Sequence, residues 1–206
     1  IESIEFHSGK DVVVQCLSSI RQVFQEGFIW STLMYFSAMN GPEIQLVECP
    51  RDAIQGWPHP ITTEDKLAYY RTLLRVGFDT LDMGSFVSPK AIPAMADTAK
   101  VLRQLEEEGI WDQTNTKGLV IVGNSRGAKE AGSFMSVDSV GFPFSLSPTF
   151  LMRNTNATMS EALIRLDAIA DHCARANKHL VVYLSMGFGN PYMDEWSEEM
   201  VLDWSL

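Results

Sequence analysis

From about Glu43 onward, short apolar runs alternate five times with stretches of helical periodicity, and that alternation predicts an α/β fold built on a parallel sheet. Two further observations support it. A parallel strand returns to its neighbour only through a long crossover, and each apolar run is followed by a segment able to supply one. Polar residues also gather at or just past the carboxyl ends of the runs: Arg51 and Asp52, Asp82 and Ser85, Asn124, Ser145 and Ser185. In a barrel those ends converge on one mouth, whereas in an open doubly wound sheet they are strung along an edge. The distribution favours a partial TIM (β/α)8 barrel of about five β/α units. No GxGxxG or GxxxxGK[ST] follows the first run, which counts against a nucleotide fold.

The elements follow in order. "EIQLVEC" reads as the first strand and ends at "PRDAIQG", expected as a loop. "TTEDKLAYYRTLLRVG" is a helix with Leu67, Tyr70, Leu73 and Leu74 on one face, Gly77 beyond its end and a capping box at Thr62 and Asp65. "FDTLDM" is the second strand and "AMADTAKVLRQLEEEG" the next helix. "GLVIVG", a short helix "SRGAKEAGSFM" and "SVGFPFS" come next. "TMSEALIRLDAIADHCARAN" carries Leu163, Leu166, Ala170 and Cys173 on one stripe and a capping box at Thr158 and Glu161. "HLVVYLS" is the fifth strand, and "SEEMVLDWSL" opens one more helix.

The 206 residues are 46% hydrophobic, enough for a substantial core. A formal net charge of -10 with scattered basic residues argues against a nucleic-acid partner, since phosphate binding draws on clustered Lys and Arg. Cys16, Cys49 and Cys173 lack disulfide-framework or metal-type spacing, and a reducing cytoplasm is the simplest setting. The longest apolar run, 28 to 39, is too short to span a bilayer and lacks the flanks of a signal peptide, so no membrane partner is expected. Met39 is a candidate for a native start, the given sequence opening at Ile1. Residues 1 to 38 are therefore expected to be an unrelated extension and residues 39 to 206 the amino-terminal portion of a barrel domain. The aromatic cluster Trp30, Tyr35 and Phe36 reads as nonspecific packing.

Arg51 beside Asp52 is the sharpest chemical feature, because charges at a strand exit need a partner or a task. One reading is an ion pair that shapes a turn. The other gives Asp52 to a divalent cation and Arg51 to negative charge developing on a substrate oxygen.

"PRDAIQG" with "GSFVSPKAIPAMADT" resembles the hydroxymethylglutaryl-CoA lyase family, which carries a similar Pro-Arg-Asp-Gly-Leu-Gln stretch and a nearly identical Ser-Phe-Val-Ser-Pro-Lys loop. "NSRG", "SLSPTFLMRNTNATMSEAL" and "YLSMGFGNPY" are similar to that family's later strand ends, so the likeness runs unbroken from Ile44 to about Trp204. The resemblance implies a metal-dependent barrel lyase, using Mg or Mn, that splits 3-hydroxy-3-methylglutaryl-CoA into acetyl-CoA and acetoacetate. Residue by residue, it implies that Arg51 is catalytic, Asp52 is a metal ligand and Gln55 and Ser85 hold substrate. Asp82 stands where the family has a catalytic Glu and reaches one methylene less. Asn124 and Ser185, at later strand ends, join the substrate-binding set. Glu48 and Cys49 replace the family's Val-Gly.

The family's His-x-His ligands and its Gly-rich Cys loop have no counterpart among His7, His59, His172 and His179 or the three Cys. The carboxyl-terminal part of the barrel is therefore expected to be missing and the chain as given inactive. Lys90 reads as a solvated loop lysine, His172 and His179 as helix-end residues, and Asn190-Pro191-Tyr192 as a turn. The rival enzymatic reading is a condensing enzyme of the isopropylmalate synthase type, which shares Arg-Asp but not the "SFVSPK" loop, and the rival from another class is a non-catalytic fragment. Open strand flanks would invite self-association, so a homo-oligomer is expected.

Overall fold

The computed structural model describes residues 12–16 and 44–205. The expected boundary at 38/39, Met39 and the aromatic cluster of Trp30, Tyr35 and Phe36 lie outside them. Six parallel strands form one sheet in strict sequence order: β1 (Val12–Cys16), β2 (Ile44–Glu48), β3 (Thr80–Phe86), β4 (Lys117–Val122), β5 (Val137–Ser145) and β6 (His179–Ser185). A doubly wound sheet reverses its order at a switch point, whereas a barrel adds each strand beside the last. The unreversed order is that of a partial TIM barrel. The strand at Val12–Cys16 adds one to the five predicted and pairs with β2 in continuous register.

Among the described residues the α-helices are α1 (Pro50–Gly56), α2 (Thr63–Val76), α3 (Thr98–Glu107), α4 (Ser125–Ala131), α5 (Pro148–Thr155), α6 (Met159–Ala176) and α7 (Glu198–Ser205). Two correct the sequence reading. Pro50 to Gly56 is a helix and not a loop, because Pro50 sits at the first helical position, where its fixed φ suits the helix and its missing N–H costs nothing. Helix α5 was not expected at all; Ser147 caps it by accepting from the Phe150 N–H at 3.0 Å, with Pro148 again opening the helix.

Leu67, Tyr70, Leu73 and Leu74 of α2 are buried as predicted. They join Leu102 and Leu105 of α3 and Ile169 of α6 against Leu81, Val120 and Phe142 of the sheet. Each fully buried side chain of this size contributes roughly 1.5–3 kcal/mol. The stripe on α6 is shifted from expectation: Ala162, Ile169 and Cys173 are buried and Leu166 half-buried, while Leu163 lies out in solvent. At Thr158 the box is complete, since Thr158 accepts from the Glu161 N–H and the Glu161 carboxylate accepts from the Thr158 N–H. At Thr62 only half of it forms: Thr62 Oγ1 accepts from the Asp65 N–H and donates to the Asp65 carboxylate.

The other face of the sheet is separate. Leu119 and Val181 are buried outside that helix-side core. Ile121 and Tyr183 share their face, where a Cβ on Gly141 would come within 2.6 Å of Ile121 and 2.8 Å of Tyr183. Gly141 thus leaves the room that the Tyr183 ring occupies. This face, which lines the inside of a barrel, carries the candidate site.

Candidate active site

Helix α1 starts one residue past the end of β2, so Arg51 and Asp52 stand in its first turn and Gln55 one turn after Arg51 on the same side. An acid in that turn is favoured by the helix dipole. Arg51 reaches across to β3. Its Nε donates to Asp82 Oδ1 at 3.0 Å and Oδ2 at 2.8 Å, and its Nη2 lies 2.8 Å from Oδ2. The remaining nitrogen, Nη1, lies 2.7 Å from Asp52 Oδ1 and donates to Gln55 Oε1 at 3.1 Å. One guanidinium therefore holds two carboxylates and an amide, and the adjacent cation and anion at the strand exit are explained by a third charge 31 residues away.

Asp82 is 1% exposed and Arg51 13%. Burial pushes the Asp82 carboxyl up to about 6; Arg51 opposes that rise and the Asp52 charge adds to it. Burial works to lower Arg51, but the Asp82 charge and hydrogen bond outweigh it and hold the guanidinium above its usual range, with smaller help from Asp52 and Tyr183. Glu48, at the end of β2, is likewise raised by burial, against a backbone hydrogen bond at Cys49.

A register shift in β3 between Asp82 and Gly84 adds one residue to the strand at Met83. Gly84 then faces the helix layer, where a Cβ would meet Thr98 at 2.6 Å. Its neighbour Ser85 faces the opposite, inner side in register with Ile121. Without the extra residue, Asp82 and Ser85 would point to opposite faces. Tyr70 supports this bulge by donating to the Met83 carbonyl at 2.6 Å; burial, then the Asp82 charge, holds its phenol above the usual range. Ser85 is 3% exposed, its N–H donates to Thr98 Oγ1 at 3.3 Å, and its Oγ has no partner among the described residues. A buried hydroxyl without a partner is a candidate to meet a ligand.

Asn124 sits at the exit of β4, but its side-chain oxygen caps α4 by accepting from the Gly127 N–H at 3.1 Å. Ser185 ends β6, where its carbonyl accepts from Ser145 Oγ at 2.9 Å and from the Leu146 N–H at 3.1 Å. The fold thus joins Arg51, Asp52, Gln55 and Asp82 directly and sets Ser85 on the same strand as Asp82. Asn124 lies at the neighbouring exit of β4 and Ser185 at that of β6, two strands further along the sheet, and neither has a hydrogen bond to that group. Lys90 is exposed.

Sequence reasoning passed over Thr98, the support of Ser85, and Asp194. Asp194 accepts from Ser147 Oγ at 2.5 Å, the Thr149 N–H at 2.9 Å and Thr149 Oγ1 at 2.9 Å, bonds that hold its carboxyl below the usual range. The turn expected at Asn190 orients it: the Asn190 side chain accepts from the Tyr192 and Asp194 N–H groups and donates to the Asp194 carbonyl. Only the Asn-Pro signal was visible in the sequence.

A divalent cation needs several oxygen or nitrogen ligands. Among the described residues no three His, Cys, Asp or Glu side chains converge, and one oxygen of Asp52 is engaged by Arg51. These residues alone do not fit a metal site.

No protein-family model matches the chain. It is 33% identical over 156 residues to a hydroxymethylglutaryl-CoA lyase of Bacillus subtilis, covering 74% of this chain and 49% of that protein. A solved HMG-CoA lyase from Bacillus subtilis superposes with a TM-score of 0.70 at 31% identity, over 78% of this chain and 52% of the other. An HMG-CoA lyase from Acinetobacter baumannii, solved in complex with coenzyme A and 3-methylmalate, gives a TM-score of 0.69 at 25% identity over 78% and 50%. The chain spans about half the length of the relatives it matches.

Proposed function

The chain belongs to the hydroxymethylglutaryl-CoA lyase family, and from that premise we propose that it carries the Arg51–Asp82 side of a site that cleaves 3-hydroxy-3-methylglutaryl-CoA to acetyl-CoA and acetoacetate. The observation that carries the proposal is the buried guanidinium-carboxylate group at the exits of β2 and β3, on the inner face, beside an unpartnered Ser85 hydroxyl.

The cleavage breaks the bond between the carbon bearing the tertiary hydroxyl and the α-carbon of the thioester. The hydroxyl proton must leave, the electron pair of the broken bond passes to the thioester as an enolate, and return of a proton to the enolate carbon completes acetyl-CoA. A carboxylate whose proton affinity lies near neutral is suited to take that proton, and Asp82 has that property. A cation fixed in a dry site stabilises the enolate oxygen more strongly than one in water, and that is the role of Arg51. Gln55 holds Arg51 on the side away from Asp82, and both Gln55 and Ser85 offer polar groups to the substrate. We place Asn124 and Ser185 at the periphery of the same pocket.

A divalent cation, Mg or Mn, would supply Lewis acidity, and Asp52 is the one residue of this chain we would assign to hold it. The described residues do not complete its ligand set. We place the protein in the cytoplasm from its cysteine usage; among the described residues no helix is long and apolar enough to cross a membrane. We also expect self-association through the outer edge of β6, to be read by size-exclusion chromatography. A monodisperse monomer would remove that expectation.

Calorimetric titration with 3-hydroxy-3-methylglutaryl-CoA tests the functional reading. Saturable binding that Arg51→Met weakens about tenfold or more supports it. Heats of dilution alone in the unaltered chain would overturn it.

A further inference from the structure

Lys66 has no role in the site described above, yet it is 5% exposed, and burying an ammonium is costly. It also stands in the first turn of α2, where the helix dipole disfavours a cation. Its Nζ donates to the Ala94 carbonyl at 2.6 Å and to Asp97 Oδ1 at 2.5 Å. The other oxygen of Asp97 accepts from Thr63 Oγ1 at 2.8 Å, also in the first turn of α2.

Asp97 occupies the N-cap position of α3, where an Asp ordinarily accepts a backbone N–H and stabilises the helix by about 1 kcal/mol. Here the side chain makes no capping bond. Its carboxylate is turned to α2 instead, so two local preferences, a capping Asp and a solvated Lys, are both given up at one contact.

That contact closes the segment between β3 and α3. The segment leaves β3 at Phe86, directly after Ser85, and turns at Ser88, whose carbonyl accepts from the Ala91 N–H at 2.9 Å and the Ile92 N–H at 3.0 Å. It carries Lys90 and returns through Ala94 to Asp97. Thr98, the next residue, donates to the Met95 carbonyl at 2.9 Å and accepts from the Ser85 N–H. Lys66 therefore fixes the far end of the segment, beside the Thr98 hydroxyl that accepts from the Ser85 N–H at its near end.

We propose that Lys66 is a positioning residue which, through Asp97 and Ala94, holds the 86–97 segment so that its exposed Lys90 meets the phosphates of the coenzyme A portion of the substrate. The ligand rests on the functional reading above; the clamp does not. Lys66→Met keeps the length of the stem and removes the donors, and Thr63→Val removes one of the bonds to Asp97. Amide hydrogen exchange read by NMR on the whole chain should show Ala91 and Ile92 exchanging about tenfold faster in Lys66→Met, with α6 amides unchanged. Thr63→Val should shift the same amides in the same direction by less.

Titration with coenzyme A, at a temperature where both chains are fully folded, should show Lys66→Met binding about tenfold more weakly. Ile169→Val, which loosens α6 far from the segment, serves as a control for destabilisation alone and should bind as the unaltered chain does. Unchanged exchange at Ala91 and Ile92 in both variants would overturn the clamp. Faster exchange with unchanged coenzyme A affinity would overturn the link to the ligand. Failure of the unaltered chain to bind coenzyme A would overturn the functional reading and the ligand named here, while the exchange result still decides the clamp.

Discussion

Two arginine-carboxylate pairs of nearly the same geometry sit at opposite ends of the sheet. At the exits of β2 and β3, Arg51 contacts Asp82 at 2.8 to 3.0 Å through Nε and Nη2. Toward the strand entries, beside a cavity of about 860 Å³, Arg71 contacts Glu108 at 2.8 and 2.5 Å through the same two nitrogens. Their side chains differ in exposure: 13% and 1% for the first pair, 33% and 32% for the second. The outcome reverses. Glu108 is held below its usual range, chiefly by the hydrogen bond from Arg71, whereas Asp82 is pushed up by burial in spite of Arg51. Two similar forks thus hold acids of opposite tendency, and solvent access decides which. Only the dry pair suits proton transfer near neutral pH.

Breaking the dry pair should have the largest effect. Arg51→Met leaves Asp82 buried without its cation, which costs about 3–5 kcal/mol. Urea denaturation at pH 7 measures it, and a loss no greater than that of a surface substitution would show the site to be wetter than described.

The pH profile sharpens the comparison next. Asp82 has a folded value of about 6, above the usual 3.8, so its contribution to stability is fully present below that usual value and is lost as pH rises through about 6. Asp82→Asn should flatten this part of the stability curve between pH 4 and 7. An unaltered slope in that variant would assign the titration elsewhere.

The exposed pair should give the smallest effect and the opposite sign. Glu108 contributes stability above the usual carboxylate value, and that contribution is lost as pH falls through its lowered one. Glu108→Gln should barely change a thermal melt, and the remaining difference should vanish in 1 M salt, where exposed charges are screened over about 3 Å. A large effect of Glu108→Gln that survives such salt would mean that this pair, too, is shielded from water.

Much of this frame was readable in the sequence. Apolar runs alternating with helical periodicity foretold the parallel order, and α2 declared its face through Leu67, Tyr70, Leu73 and Leu74. Three omissions had signals that went unused: "VVVQC" is a β-branched run, and Pro50 and Pro148 each open a helix. Others had no local signal. The bulge at Met83 exists only relative to β4, and it alone lets Asp82 and Ser85 share a face. Sequence reasoning singled out Arg51, Asp52 and Asp82 and read Arg51 with Asp52, but not the contact that ties Arg51 to Asp82. The bond from Arg51 to Asp82 joins residues 31 apart, and no local pattern encodes it.

The state of one carboxyl group, that of Asp82, decides whether the buried pair can move a proton. A 13C NMR titration of Asp82 Cγ in the whole chain reads it directly. A midpoint near 6 that climbs in Arg51→Met is the predicted result. A midpoint at or below 3.8 would mean that the arginine fork overrides burial, and Asp82 would then lose its claim to the substrate's proton.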